Sequence, residues 1–125
     1  MTRINVGIDP AQLNNAMLMA EHRELKRIPN LVRQGKFRLE GQPARFTLGT
    51  GHVKFFYDKL GYLRKRYELL FAECQRRGLQ VTWFGAAWDG IDERFMGDYK
   101  PTRDAVAQVR ARIAERLAQI AERKK

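Results

Sequence analysis

An apolar repeat in the middle of the chain constrains the fold more than any other feature. Apolar side chains recur in steps of three and four residues from Val53 to Cys74, and Gly78 follows them. Such steps place side chains on one face of an α-helix, and a glycine just beyond the last turn is typical of a helix C-terminus. The sequence therefore predicts a long helix that Gly49–His52 opens and Gly78 closes.

Two further stretches show a helical pattern. The first is predicted to begin at Asp9-Pro10, with Asp9 as the N-cap, and to run to about residue 26 or 27, where Pro29 stops it. The second is predicted over residues 101–123, with an apolar stripe from Val106 to Ile120. Together with the central helix, these stretches indicate a small helical bundle.

The fold class expected from this pattern is all-α. A chain of 125 residues fits one compact domain, 1–125, of three main helices, with residues 119–125 fraying. The segments 30–49 and 79–100 are rich in turn residues and are expected to form irregular connecting loops, and no pair of strands is predicted.

The composition narrows the class of protein. Lys and Arg total 24 against 14 for Asp and Glu, which gives a net charge of +10 and indicates a polyanionic partner, most simply nucleic acid. No apolar run approaches the roughly 20 residues that a transmembrane helix needs. The single cysteine, Cys74, excludes an intrachain disulfide. A protein of the reducing cytoplasm is expected.

A candidate nucleophile lies at the start of the chain. Thr2 follows Met1, and a small second residue permits removal of the initiator methionine, which leaves a free α-amine on Thr2. An α-amino group has a pKa of about 7.7–8.0, and a neighbouring cation such as Arg3 lowers it. A neutral amine can form an imine at a sugar carbon. The same residues also fit an ordinary chain start with no catalytic role.

Glu24 is a candidate for acid–base chemistry. It shares a stripe with Leu13 and Met17 at the polar end of the first helix, where a carboxylate can be partly desolvated. A carboxylate in such a place can serve as a general acid or base. Because Arg27 follows three residues later, the pattern also fits a plain ion pair on a solvated helix end.

Basic residues on the last predicted helix suggest contact with phosphate. Arg112 and Arg116 lie one turn apart beside the apolar stripe, where they can position phosphates or form only a solvated edge. His22 and His52 are the only histidines, and two scattered histidines without a cysteine nearby do not make a metal site. Neither a metal nor a cofactor is expected.

Six short blocks in a fixed order carry a family resemblance. They are MTRIN at 1–5, LMAEHREL at 18–25, GHVKFFYDKL at 51–60, LRKR at 63–66, AEC at 72–74 and GDYKP at 97–101. On these blocks the chain resembles the pyrimidine-dimer DNA glycosylase/AP lyase family, the phage endonuclease V family. The blocks are spread from residue 1 to residue 101, and the block at 51–60 is long enough to be specific. A resemblance to this family also implies a bacterial or viral origin.

The resemblance implies a monomeric, cofactor-free enzyme of DNA repair that acts on damaged double-stranded DNA. It implies an all-α fold whose N-terminal segment is threaded between the helices. In such an enzyme the Thr2 amine attacks the anomeric carbon, Glu24 is the catalytic carboxylate, and the imine allows β-elimination. The family's DNA contacts correspond to five arginines here: Arg3, Arg23, Arg27, Arg112 and Arg116.

Departures from the family leave alternatives open. Met17 stands where the family has a histidine, and the chain ends Ala-Glu-Arg-Lys-Lys in place of an aromatic tail. Trp83 and Trp88 could substitute for that tail or serve only in the core. One alternative is a glycosylase or AP lyase of different lesion range, and another is a non-catalytic basic DNA-binding module. The module is disfavoured because a carboxylate such as Glu24 on a phosphate-binding surface weakens binding.

Overall fold

The computed structural model describes residues 2–124, and the regular structure in that range is helical. The helices are α1 (Asn15–Glu24), α2 (Arg27–Arg33), α3 (His52–Phe55), α4 (Leu60–Arg76) and α5 (Arg103–Arg123), with 3-10 turns at Pro10–Gln12, Gly85–Trp88 and Glu93–Phe95. Within residues 2–124 the β-pairing is limited to one isolated bridge, Lys59 to Met96. The all-α fold with three main helices, α1, α4 and α5, is confirmed. No helix in the described range is both long enough and apolar enough to cross a membrane.

The core forms where α1 packs on α4 and the N-terminal segment runs through the helices. Ile4, Val6 and Ile8 are buried in that segment, although it has no regular secondary structure. Their burial removes apolar area from water, which stabilises by about 25 cal/mol per Å² and anchors the segment in the core. This anchoring fixes the position of the chain immediately after its first residues.

The C-terminal end of α4 follows the prediction. Gly78 has a φ of +72°, and its N–H donates to the Gln75 carbonyl at 3.0 Å. The N–H of Leu79 donates to the Cys74 carbonyl at 2.9 Å. These two bonds are a Schellman motif, which needs the left-handed conformation that glycine adopts without strain.

The long helix predicted from residue 52 to Gly78 is wrong, because α3 and α4 are separate helices. Residues 96–97 insert at the break, where the Gly97 N–H donates to the Asp58 carbonyl and the Tyr62 N–H donates to the Gly97 carbonyl. A Cβ on Gly97 would lie 2.4 Å from the Asp58 carbonyl oxygen, so only glycine allows this approach. The break comes from distant backbone, which local periodicity does not reveal.

The first predicted helix is also wrong at both ends. Asp9 caps a short 3-10 turn, and α1 begins only at Asn15, where the side chain of Asn14 accepts the Met17 N–H at 2.8 Å. Pro29 does not open a loop. Its ring conflicts with the carbonyl four residues earlier, so it ends α1 near residue 25 and then lies in the first turn of α2, where a missing N–H costs nothing.

Candidate active site

A cleft of about 510 Å³ lies between α1 and α5. The N-terminal segment forms its third wall through Arg3 and Asn5, so three separate parts of the chain meet there. Both helices also contribute apolar side chains to the lining, among them Met17 from α1 and Ile113 from α5. We call this feature the α1–α5 cleft.

Four of the seven residues predicted for the site line this cleft. They are Arg3, Glu24, Arg112 and Arg116. Thr2 is not in the lining of the described structure, but it is buried and is joined to Arg3 by one peptide bond. With Glu21, which also lines it, the cleft therefore collects two carboxylates and three guanidinium groups next to the start of the chain.

Arg23 and Arg27 lie outside the cleft lining in the described structure. Both are exposed, Arg23 near the end of α1 and Arg27 at the start of α2. They extend the positive surface beyond Glu24 and do not enclose the cleft itself. This position suits contact with a long polyanion better than contact with a small molecule.

Glu24 both faces the cleft and makes the ion pair that its spacing predicts. Arg27 Nη1 lies 3.1 Å from Glu24 Oε1, and the two side chains are 51% and 15% exposed. An exposed pair of this kind contributes about 0.2–1 kcal/mol to stability. A carboxylate has two oxygens and about four acceptor positions, so a pair with Arg27 is compatible with a role in the cleft.

The N-terminal segment is held by a buried ion pair. Asn5 donates from its side chain to Glu21 Oε1 at 2.7 Å and from its backbone to Glu21 Oε2 at 3.3 Å. Arg66 of α4 binds the same carboxylate through Nε at 2.7 Å and Nη2 at 3.0 Å, and it also donates to the Ile8 carbonyl. Burial disfavours the charged guanidinium, but the Glu21 carboxylate outweighs it and raises the pKa of Arg66.

A second fixed point lies one residue earlier. The Ile4 N–H donates to Nε2 of His52 at 2.9 Å, and His52 is buried at the start of α3. Burial lowers the pKa of His52, the Thr47 carbonyl opposes this by raising it, and Arg112 lowers it. We call the set Asn5, Glu21, His52 and Arg66 the N-terminal clamp. The clamp was not predicted from the sequence, although Glu21 and Arg66 stand at apolar-stripe positions of α1 and α4 and could have indicated a buried ion pair.

Arg112 and Arg116 have different surroundings. Arg112 is half-buried and donates from Nη2 to the Asn5 side-chain oxygen at 2.9 Å, whereas Arg116 is exposed. Burial and the nearby cation of Arg3 lower the pKa of Arg112. Because Arg3 and Arg112 repel each other in the cleft lining, an anion bound between them is favoured.

The two tryptophans also separate. Trp88 is buried and donates from Nε1 to the Leu60 carbonyl at 3.0 Å, so it is a core residue. Trp83 is 52% exposed and packs against Phe71 and Tyr67 at centroid distances of 4.8 and 5.1 Å. Of the two tryptophans, Trp83 is therefore the one that is exposed to solvent.

Lys26 is the amine in this region that could compete with the N-terminus. Its Nζ lies 3.2 Å from the centroid of the Phe84 ring. Burial, then Arg27 and Arg23, lower its pKa. Lys26 lies on the Phe84 side of the α1–α2 junction and is not part of the cleft lining in the described structure.

A comparison with protein families agrees with this geometry. A family model described as pyrimidine dimer DNA glycosylase matches residues 1–83, which is more than half of the chain. The match includes the N-terminal segment and helices α1–α4, with the whole clamp, and it leaves out α5. The chain therefore belongs to the pyrimidine dimer DNA glycosylase family, a family of DNA repair enzymes whose substrate is DNA.

Proposed function

We propose that this protein is a bifunctional glycosylase and AP lyase that acts on pyrimidine dimers in double-stranded DNA. Residues 1–125 act as one catalytic domain in a monomer. The observation that carries the proposal is the α1–α5 cleft, in which Glu24 and three arginines meet beside the first residues of the chain. The family match supports a DNA substrate and glycosylase chemistry.

The proposed reaction starts at the Thr2 amine after Met1 is removed; Met1 itself lies outside the described residues. The neutral amine attacks the anomeric carbon, the glycosidic bond breaks, and the base leaves with the bonding electrons and takes up a proton. Opening of the sugar ring gives an imine between the protein and the sugar. A proton acceptor then removes the 2′ proton. The bond from the 3′ carbon to its oxygen breaks, and the 3′ phosphate leaves with the bonding electrons.

Glu24 is the residue proposed to handle protons in this sequence. Glu21 and Glu24 of α1 both line the cleft with Arg112 and Arg116 of α5, but Glu21 is already bound by Asn5 and Arg66 in the N-terminal clamp. Imine formation and β-elimination each require proton transfer, and a positioned carboxylate can supply it at both stages. The amine and the carboxylate suffice for the chemistry, so the proposal uses no cofactor.

The arginines are proposed to bind the DNA backbone. Arg3, Arg112 and Arg116 line the cleft, and Arg23 and Arg27 extend the positive surface past Glu24. Phosphate contacts fix the register of a protein on the duplex and carry no sequence information. Lesion choice then depends on how easily the distorted duplex opens.

Salt dependence tests the arginines of α5. Each neutralised phosphate contributes a slope of about −0.9 to the plot of log affinity against log salt concentration. Arg116→Ala and Arg112→Ala are each expected to flatten the slope by about one unit on undamaged duplex. Fluorescence anisotropy at several salt concentrations measures the slope.

Arg103→Ala is the matched control, because Arg103 is an exposed cation of the same helix outside the described cleft lining. It should change the slope less than either cleft arginine. An equal effect of all three variants would show that α5 attracts DNA only through its net charge. If neither Arg112→Ala nor Arg116→Ala changes the salt slope, α5 is not part of the DNA interface.

The activity is tested on three matched duplexes, one with an abasic site, one with a cyclobutane pyrimidine dimer and one undamaged. The proposal predicts strand cleavage of the first two and not of the third. Tight binding to all three without cleavage would contradict the proposal and favour a non-catalytic DNA-binding module.

A second candidate is a lyase of different lesion range, and the position of Met17 favours it. Met17 lines the cleft and is half-buried, so an apolar thioether occupies the place where the resemblance suggests a histidine. Met17 cannot exchange a proton with the sugar intermediate. Cleavage of the abasic duplex without cleavage of the dimer duplex would support this candidate over the first.

A further inference from the structure

The hydrogen bonds of His52 fix the chemical form of its ring. Nε2 faces the Ile4 N–H at 2.9 Å, and Nδ1 faces the Thr47 carbonyl oxygen at 2.9 Å. A backbone N–H can only donate, so Nε2 must carry a lone pair and no proton. A carbonyl oxygen can only accept, so Nδ1 must carry the proton. The arrangement therefore requires a neutral imidazole in one defined tautomer.

The ring of His52 is also held in place by packing. Phe46 and Phe56 lie edge-on to it, each with a centroid distance of 5.4 Å, and only 4% of the residue is exposed. Because both nitrogens are bonded and the ring packs against two phenylalanines, the ring cannot turn without breaking these hydrogen bonds. A buried N–H left without a partner is unfavourable, which ties Ile4 to this ring.

We propose that His52 is a positioning residue for the N-terminal amine: its neutral ring, by accepting the Ile4 N–H, fixes the segment that carries Thr2 against the α1–α5 cleft. This inference rests on the proposed function of the Thr2 amine. His52 does not touch the reacting atoms and acts through the backbone two residues after Thr2. The Glu21–Arg66 pair holds the next residue, Asn5, so the segment is fixed at two consecutive residues beside the cleft.

Protonation of His52 breaks this arrangement. A protonated Nε2 would place an N–H against the Ile4 N–H, so the two donors repel and the segment loses one fixed point. The charged groups that face the ring are Arg112 from α5, Arg3 from the N-terminal segment and Glu21 from α1. Burial and both cations oppose protonation, the Thr47 carbonyl and Glu21 favour it, and the pKa of His52 is lowered from its usual value of 6.5. The segment is therefore fixed at neutral pH and is released only in acid.

Two variants of His52 separate positioning from general stability. His52→Gln keeps an acceptor that can reach the Ile4 N–H but cannot titrate, and His52→Leu removes the acceptor. The matched control is His22→Leu, because His22 is the other buried histidine and its Nε2 lies 2.9 Å from the Tyr67 hydroxyl, away from the N-terminal segment. Circular dichroism and urea unfolding give the folded fraction of each protein.

The readout is the rate of imine trapping on an abasic duplex at saturating DNA, with cyanoborohydride so that acidic pH is accessible. A misplacement near 1 Å can cost about 100-fold in rate, so His52→Leu is expected to lose about 10- to 100-fold in trapping rate with an unchanged Kd for DNA. His52→Gln should recover most of the rate at pH 7.5. His22→Leu should match the wild type once the folded fraction is taken into account.

The pH profile gives a second readout that a structural role would not produce. In the wild type, the logarithm of the rate should fall as the pH is lowered. Its slope against pH should be about 1 while only the amine is being protonated and about 2 once His52 is being protonated as well. In His52→Gln the steeper limb at that pH should disappear, while any step due to Glu24 stays.

These measurements distinguish failure of this inference from failure of the proposed function. If wild-type protein gives no adduct, or gives one that survives N-terminal acetylation, the proposed function fails first. If wild-type protein traps through its N-terminus and folded His52→Leu traps at the same rate, His52 is not a positioning residue. If His52→Leu does not fold, the pH profile of His52→Gln decides. A limb as steep as that of the wild type at the same acidic pH would overturn the inference by itself.

Discussion

Protein with an acetylated N-terminus is expected to give no borohydride-trapped adduct with abasic DNA. Acetylation converts the amine into an amide, whose nitrogen lone pair cannot attack the anomeric carbon. The modification removes one positive charge from a chain of net charge +10, so binding to DNA should change little. Denaturing electrophoresis of the reduced mixture, with anisotropy for binding, measures both effects.

Variants of residue 2 provide the matched control. Thr2→Ala keeps a small second residue and hence a free amine after removal of Met1, so trapping should persist. Thr2→Leu retains Met1 and displaces the amine by about 3.5 Å along the chain, which is expected to cost at least about 100-fold in rate. Full trapping by acetylated protein would exclude the N-terminus and leave a lysine, such as Lys26 with its lowered pKa, as the nucleophile.

Glu24→Gln is expected to reduce strand cleavage by about 100- to 10,000-fold, the usual contribution of general acid–base catalysis. The change removes the charge with nearly the same shape, so the cleft should keep its form. Affinity for damaged DNA should hold or increase, because an anion near the phosphates is lost. Single-turnover cleavage and anisotropy separate the two effects.

Glu68→Gln controls for the change in charge and for the loss of an ion pair. Glu68 pairs with Arg64 on α4 at 3.7 Å, and both side chains are more than half exposed, as Arg27 is in its pair with Glu24. Glu68 lies outside the described cleft lining, so its variant should cleave like the wild type. If Glu24→Gln and Glu68→Gln turn over at the same rate, Glu24 has no catalytic role and serves only in its ion pair with Arg27.

The parts of the fold that local patterns determine could be predicted from the sequence. The apolar stripe of α4 and its glycine cap depend on residues within a few turns of each other, as does α5, which begins at Arg103 with Thr102 as its N-cap. Helix ends set by distant backbone were not predictable. The break between α3 and α4 depends on Gly97, which is far along the chain, and Pro29 was compatible with both a loop and a first helical turn.

The candidate site divides in the same way. Glu24 and the arginines of α5 could be identified as candidates because helix periodicity places them beside apolar stripes. Glu21 and Arg66 at buried helix positions could have indicated an ion pair, but the bonds of the N-terminal clamp could not be predicted, since they join residues 4 and 5 to residues 21 and 52 across the fold. Of the two tryptophans, only burial in the folded protein separates Trp88 in the core from Trp83 at the surface.

The measurement that tests the central claim most directly is the location of the reduced adduct in the chain. Cleavage after glutamate separates the N-terminal peptide, which ends at Glu21, from the peptide Leu25–Glu40. The first lysine of the chain is Lys26, which lies in the second peptide. The N-terminal peptide therefore contains no amine except the N-terminal one. Mass spectrometry of the trapped complex after this digestion and nuclease treatment is expected to find the sugar remnant on the peptide that begins at Thr2. A remnant on the Lys26 peptide, with the N-terminal peptide unmodified, would contradict the account.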